Sequence, residues 1–348
     1  EDRADEINTC IACNEACLDY IFTEQPASCL VNPRAGRELE IRIAPAKEIK
    51  KIAVVGAGPA GLAYAITAAE RGHKVTLFEA SPNIGGQLNL AIKIPGKEEF
   101  RETLRYYRKM IEKHGVDVRL NTRAEVNELI KNNYVEVILS TGVKARQPEI
   151  EGIDHPMVLS YEDVISQEKS VGQRVGIIGA GGIGFDVAEF LTTPEGPLES
   201  QDIEAFLGAW GVDKNVATAG GLKEPVPEKI AREIYLLQRK TTMHGRNLGR
   251  TTGWIHRLTI QKRNVHTIGG VTYRKIDDHG LHITVDGRDR CLEVDNVVVC
   301  AGQEPDRDLL DALTKAGVSS HLIGGAEEAI ELDASRAIDV GTRLAALA

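Results

Sequence analysis

Aromatic side chains are scarce in this chain: two Trp, six Phe and eight Tyr among 348 residues, against 34 Gly. That balance argues against a β-sandwich and suits an α/β protein punctuated by glycine turns. Positive charge is also short. Lys and Arg number 42 against 51 Asp and Glu, a net charge of −9, which argues against nucleic acid or an anionic membrane surface as the main partner. A membrane span is missing as well. The eighteen residues Ile52 to Ala69 carry no charge, but Gly56, Gly58, Pro59 and Gly61 interrupt them, as expected for a strand, a tight turn and a buried helix start. There are only six cysteines and no visible secretory segment, so a disulfide framework is not expected and the cytoplasm is the expected compartment. The nine His show no pair at metal-ligand spacing, and none is given a role. The first residue is Glu rather than Met, which suggests a piece of a longer polypeptide.

Four of the cysteines are concentrated at the front, as Cys10-x2-Cys13-x3-Cys17-x11-Cys29. Thiolates bind soft metals, and four within twenty residues can close around one inorganic centre. Structural zinc is the rival reading. Zinc sites usually present two close pairs, whereas here three cysteines bunch and one stands apart, as in [4Fe–4S] runs. Cys291 and Cys300 fit no such spacing and read as core or strand residues.

Behind the cysteines stand two glycine turns. Gly56-Ala57-Gly58-Pro59-Ala60-Gly61 fits G-x-G-x-x-G between an expected strand at 51–55 and a helix to about 71. In such a turn the first Gly makes the tight bend and the second admits a pyrophosphate. The third lets helix and strand pack, and the helix N-terminus supplies N–H donors. Glu79 ends the next strand, 23 residues after Gly56, where a carboxylate can accept from a ribose hydroxyl. Gly85, Gly86 and Gln87 follow, allowing a second backbone approach to a long ligand such as FAD. Gly179-Ala180-Gly181-Gly182-Ile183-Gly184 repeats the turn, with Gly179, Gly181 and Gly184 in the three glycine roles. The strand after it ends in Arg239-Lys240 rather than an acid. Two cations suit a 2′-phosphate, hence NADPH.

The programme of strand, Gly turn, helix, strand and later strand thus runs twice, the later strands ending in Gly142 and Gly302. The expected fold class is α/β, two Rossmann-like dinucleotide-binding domains for FAD and NADPH, preceded by a small iron–sulfur segment. The expected divisions are 1–48 for the cysteines and connector, 49–165 for the first part of the FAD domain, 166–294 for the NADPH domain and 295–348 for the second FAD part. The run Leu332-Asp333-Ala334 reads as a loop entering a helix, with Asp333 as its cap.

Several stretches carry a family resemblance: Cys10 to Cys17, Ser28 to Ala35, Ile94 to Phe100, Thr251 to Arg257 and Cys300 to Pro305. Along essentially its whole length the chain resembles the C-terminal half of bacterial NADPH-dependent 2,4-dienoyl-CoA reductases, relatives of trimethylamine dehydrogenase and the old-yellow-enzyme-type iron–sulfur flavoproteins. The resemblance implies that Cys10, Cys13, Cys17 and Cys29 hold a [4Fe–4S] cluster. It places FAD against the first Gly turn, Ala60, Glu79, Gly86, Gln87, Lys97, Gly142, Gly302, Gly325 and the turn Leu332, Asp333 and Ala334. NADPH would meet the second Gly turn, Arg239 and Lys240, with Trp254 as a further contact. Family members begin with a (β/α)8 barrel that binds FMN and the acyl-CoA and carries the proton donors. That barrel is absent from these residues, so it would be the partner, upstream in the same polypeptide, and no catalytic acid for dienoyl chemistry can be named here.

NADPH gives electrons in pairs and an iron–sulfur cluster accepts them singly, so a flavin between them is chemically required. The expected function is therefore the NADPH-oxidising, electron-transfer portion of a 2,4-dienoyl-CoA reductase, serving β-oxidation of unsaturated fatty acids. Two alternatives stay open: the corresponding half of an amine dehydrogenase, and a zinc-ordered nucleotide-binding module without catalysis.

Overall fold

The computed structural model describes residues 2–196, 198–226, 229–330 and 333–348. Its first nucleotide unit is a five-stranded parallel sheet in the order Ser320–Leu322, Glu136–Leu139, Lys51–Val55, Lys74–Phe78, Asp117–Arg119. Lys51–Val55 is buried from its second residue on and feeds the helix Pro59–Glu70. That helix is buried from Ala60 to Ala68 because small residues let another helix, Ala334–Leu347, close over it. At Gly341 a side chain has no room: its Cβ would lie 2.3 Å from the Ala60 carbonyl oxygen. The uncharged stretch is thus a strand, a turn and a core helix, and no helix among the described residues is long and apolar enough to cross a membrane.

The second unit repeats the plan. Its parallel sheet runs Val158–Ser160, Asn296–Val299, Arg174–Ile178, Glu233–Leu237, His266–Ile268. An antiparallel meander, Thr272–Asp277, Gly280–Val285 and Arg288–Leu292, adds Ile276, Leu281 and Ile283 to its core. The pairings move the expected divisions: Val158–Ser160, assigned to the first domain at 49–165, and Asn296–Val299, assigned to 295–348, both belong to the second sheet. Chain rhythm could not show this, because a three-residue edge strand has no local signature and a strand's own residues do not say which sheet it joins.

Where the chain crosses between units, its two passes lie side by side as an antiparallel pair, Val143–Ala145 with Gln303–Pro305. The front segment has little regular structure beyond a short 3-10 turn at Ala4–Glu6 and a five-residue π-helix, Glu15–Asp19. Its small core is Ala16, Leu30 and Val31, packed with Cys13, Cys29, Phe100 and Ala334. The helix Phe100–His114 clamps it: Arg105 donates to the carbonyls of Asp5 and Ile7, and Lys113 pairs with Glu6 at 2.6 Å.

Candidate functional site

The two glycine turns have the same internal geometry. Gly56 has φ +103°, and a Cβ there would stand 2.4 Å from the Ser140 carbonyl oxygen; Gly179 has φ +114° and the corresponding distance, to Cys300, is 2.2 Å. Each first Gly is wedged against the end of the neighbouring central strand. The third glycines, Gly61 and Gly184, pack on the first, with Cβ positions 2.0 and 1.9 Å from the carbonyl oxygens of Gly56 and Gly179. The middle glycines differ: around Gly58 and Gly181 nothing lies within 4 Å of a Cβ. Open space at the mouth of a helix N-terminus is what a pyrophosphate needs.

A cavity of about 1580 Å³ opens at the first turn and reaches Gly182 and Ile183 beside the second, while Gly179, Gly181 and Gly184 stand off its wall. It is larger than the usual 300–1,000 Å³ of a small-molecule pocket and suited to an extended dinucleotide. Its wall includes Gly56, Gly58, Ala60, Glu79, Gly86, Gln87, Lys97, Gly142, Gly325, Asp333 and Ala334, which are most of the residues expected to meet FAD. Glu79 is fixed by the Ala57 and Ser81 N–H groups, each 2.8 Å from one of its oxygens. The Gly85 N–H donates to the Ala57 carbonyl at 2.7 Å, docking the second glycine loop on the first turn. Asp333 caps its helix by accepting from the Arg336 N–H at 2.7 Å, so the capping role holds while the helix start also faces the cavity. These residues fit FAD. Leu332 lies outside the described residues. Gly302 follows the second sheet's Asn296–Val299 and faces the Arg146 guanidinium rather than the cavity wall, where its neighbour Gln303 stands instead.

Lys97 donates to both oxygens of Asp186 at 2.7 Å, an ion pair that ties the first unit to the helix Gly182–Thr192 of the second. Gly182, Ile183, Asp186, Glu189 and Thr193, one face of that helix and its end, line the same cavity. Glu189 is buried and its Oε1 accepts from His256 Nδ1 at 2.8 Å. That contact raises the His256 pKa above its ordinary 6.5, against the opposing effect of burial. A raised folded-state pKa stabilises the protonated form, so the pair's contribution is fully present below about pH 6.5 and fades as pH rises through the raised value. The melting-temperature gap between the parent chain and His256→Asn should accordingly be widest near pH 6 and shrink by pH 9; a gap that widens with pH would sink this reading.

Among the thiols, Cys13 and Cys29 are half-buried and Cys10 and Cys17 exposed. Burial pushes the Cys13 thiol up to about 11, opposed by the Glu15 backbone N–H and reinforced by the charges of Glu15, Cys29 and Cys17. The Ala12 N–H points at Cys10 Sγ, 3.4 Å away, and Ala12 and Asn14 on either side of Cys13 have φ of 54° and 62°. No three His, Cys, Asp or Glu among the described residues are grouped to hold one metal ion. Four thiols are a donor set of the kind that holds an iron–sulfur group or zinc, and the N–H aimed at Cys10 Sγ is compatible with either. Ile11, Ala12, Cys13 and Glu15 reach the cavity. Burial, reinforced by Asp333 and opposed by Lys97, pushes the Glu15 carboxyl up to about 7.

On the nucleotide side, Arg239 and Lys240 are exposed just past the strand Glu233–Leu237, beside the strand that leads into Gly179. No carboxylate among the described residues forms an ion pair with either. Trp254 is half-exposed and meets Trp210 edge-on at 6.1 Å; the cavity is lined by Trp210, not Trp254. Sequence reasoning missed Asp186, Glu189, His256 and Trp210. Asp186 and Glu189 did leave a signal, two carboxylates in an otherwise apolar helix.

Comparison with known proteins agrees with this geometry. Residues 50–328 match the family model described as pyridine nucleotide-disulphide oxidoreductase. A metal reductase of Desulforamulus reducens is 30% identical over 323 residues, covering 89% of this chain and 46% of its own length. A cinnamate reductase of Clostridium sporogenes is 38% identical over 196 residues, covering 55% of this chain and 28% of its own. In three dimensions, 2-naphthoyl-CoA reductase in complex with 2-naphthoyl-CoA superposes with a TM-score of 0.83 at 31% identity, covering 99% of this chain and 47% of that one. The chain therefore spans less than half the length of these relatives, and the resemblance to old-yellow-enzyme-type flavoproteins stands. With its two dinucleotide-binding units, the chain belongs to the pyridine nucleotide-disulphide oxidoreductase family.

Proposed function

We propose that the chain is the NADPH-oxidising, electron-relaying half of a 2,4-dienoyl-CoA reductase acting in the cytoplasm, in β-oxidation of unsaturated fatty acids. Its partner in this reading is an FMN-binding barrel upstream in the same polypeptide, which also holds the dienoyl-CoA. The observation that carries it is that the first Gly turn, the helix following the second, and Cys13 line one cavity. FAD, when bound, accepts the two electrons of a hydride and can release them one at a time. Cys10, Cys13, Cys17 and Cys29 would hold a [4Fe–4S] group, which supplies one-electron transfer.

The chain's own residues do the rest. Gly58 and Gly86 leave the backbone bare for the FAD pyrophosphate, and Glu79 keeps carboxylate lone pairs facing its ribose. Leu88, Leu90, Ile94 and Ile165 exclude water from the cavity wall. Tyr161 Oη, held between Gln87 and Gln303 by contacts of 3.3 and 2.8 Å, fixes the junction of the two units. Lys97 and Asp186 neutralise each other where the nucleotide's reactive end must enter. NADPH is the substrate, seated on the second Gly turn with its 2′-phosphate toward Arg239 and Lys240. Electrons therefore enter from the second unit and leave on the cysteine side.

Reconstituted with FAD, iron and sulfide, the chain should reduce ferricyanide from NADPH and leave 2,4-dienoyl-CoA untouched. Turnover of dienoyl-CoA by this chain alone would overturn the division of labour. So would failure to oxidise NADPH with FAD bound.

A further inference from the structure

The π-helix Glu15–Asp19 has a task beyond carrying Cys17. The Asp19 carboxylate reaches across to the second unit and accepts three hydrogen bonds there: from the Arg250 N–H at 3.0 Å, the Thr251 N–H at 2.9 Å and the Thr251 hydroxyl at 2.7 Å. Both backbone donors lie in the turn that opens the helix Gly253–Lys262. That turn is tight: a Cβ at Gly249 would stand 2.9 Å from Asp19 Oδ2 and 3.0 Å from the Thr252 hydroxyl. The Gly253 N–H in turn donates to the Gly249 carbonyl at 2.7 Å. Thr252, Ile255 and His256, immediately beyond, line the cavity. The front segment's other anchors, through Arg105, Lys109, Lys113 and Arg71, run to the first unit. Asp19 is thus a link of different direction, from the cysteine segment to the pyridine-nucleotide side.

We propose that Asp19 is a positioning residue coupling the two: it fixes the 249–251 turn, and through it the start of the helix that presents His256 to the cavity. The carboxylate suits the task because it takes two adjacent backbone N–H groups and a hydroxyl at once, as a helix-capping acid does. Since Asp19 closes the same single turn that contains Cys17, ordering the cysteine segment orders the 249–251 turn. Coupling of this kind is reciprocal. The proposal rests on the second Gly turn being the NADPH site.

The test is hydrogen–deuterium exchange of the peptide covering 249–252 in the reconstituted chain, together with NADPH–ferricyanide kinetics. Asp19→Ala should speed exchange at Arg250 and Thr251 by about tenfold or more, the loss expected for hydrogen bonds to a charged acceptor. It should raise KM for NADPH by about fivefold while kcat stays within about twofold, and Asp19→Asn, which keeps one acceptor oxygen, should restore part of both. Stripping iron with a chelator should loosen the same peptide. Unchanged exchange in Asp19→Ala overturns the positioning role, and unchanged exchange after iron removal overturns the coupling. If Asp19→Ala does not fold, Thr251→Val, which removes one of the three bonds, carries the same test with a smaller expected increase. A parent chain that does not oxidise NADPH would sink the proposed function, while the exchange data would still decide Asp19.

Discussion

Gly181→Ala should weaken NADPH binding severely and leave the melting temperature unchanged, and Gly184→Ala should unsettle the fold instead. The two positions are three residues apart in one turn, yet they meet opposite surroundings. At Gly184 a Cβ would stand 1.9 Å from the Gly179 carbonyl oxygen and 2.9 Å from its carbon. Neither can retreat, because Gly179 is itself wedged against the Cys300 carbonyl at φ +114°. Overpacking against backbone of this kind costs about 3 kcal/mol or more, a fall of roughly 4 °C or more in Tm for a chain of this size. At Gly181 nothing lies within 4 Å, so the added methyl costs the folded chain little. It occupies the space through which a pyrophosphate must approach the helix N-terminus. Losing one or two charge-assisted hydrogen bonds at about 1.5–3 kcal/mol each raises Kd by roughly 10-fold or more. Calorimetric titration and thermal melts of the two variants separate the roles. Wild-type affinity in Gly181→Ala would remove the nucleotide assignment; a wild-type melt in Gly184→Ala would refute the packing argument.

Replacing Arg239 and Lys240 together with Ala should raise KM for NADPH by about 100-fold and leave KM for NADH within about threefold. Both side chains are exposed at the carboxyl end of the second sheet, where open α/β sheets take their ligands. A 2′-phosphate would draw on both cations, whereas a bare ribose offers them no charge. The advantage is electrostatic and partly screened, so it should shrink between low and high salt. An equal loss for the two nucleotides would show that the pair supports the strand end and does not read the phosphate.

How far these features could be foreseen depends on how local they are. The two Gly turns, Glu79 and the strand–helix flanks were legible because each turn's chemistry is spelled within about thirty residues. The cap at Asp333 was legible for the same reason. The ion pair Lys97–Asp186 was not, since it joins residues 89 apart in different units. Asp19 and Thr251 are 232 apart. Lys97 was expected as a flavin contact by resemblance, but nothing in its neighbourhood names Asp186 as its partner. Trp254 was expected as a nucleotide contact by resemblance alone, whereas Trp210, between the helix Gly182–Thr192 and the strand Glu233–Leu237, reaches the cavity only through folding. Misplacing Val158–Ser160 has the same origin: its partner strand begins at Asn296.

The paired crossings at Val143–Ala145 and Gln303–Pro305 mean that everything between them leaves and rejoins its host at one doorway. To the flavin-binding host the 157 residues from Arg146 to Gly302 are a single inserted loop with its ends already zipped together. A host closed in this way needs no more chain entropy to accept a large guest than a small one beyond a slowly growing term. The guest is therefore held at its doorway and by a few cross-unit bonds, Lys97 to Asp186 and Thr251 to Asp19 among them, and a guest of different coenzyme preference would have to keep those bonds for the host to keep its register.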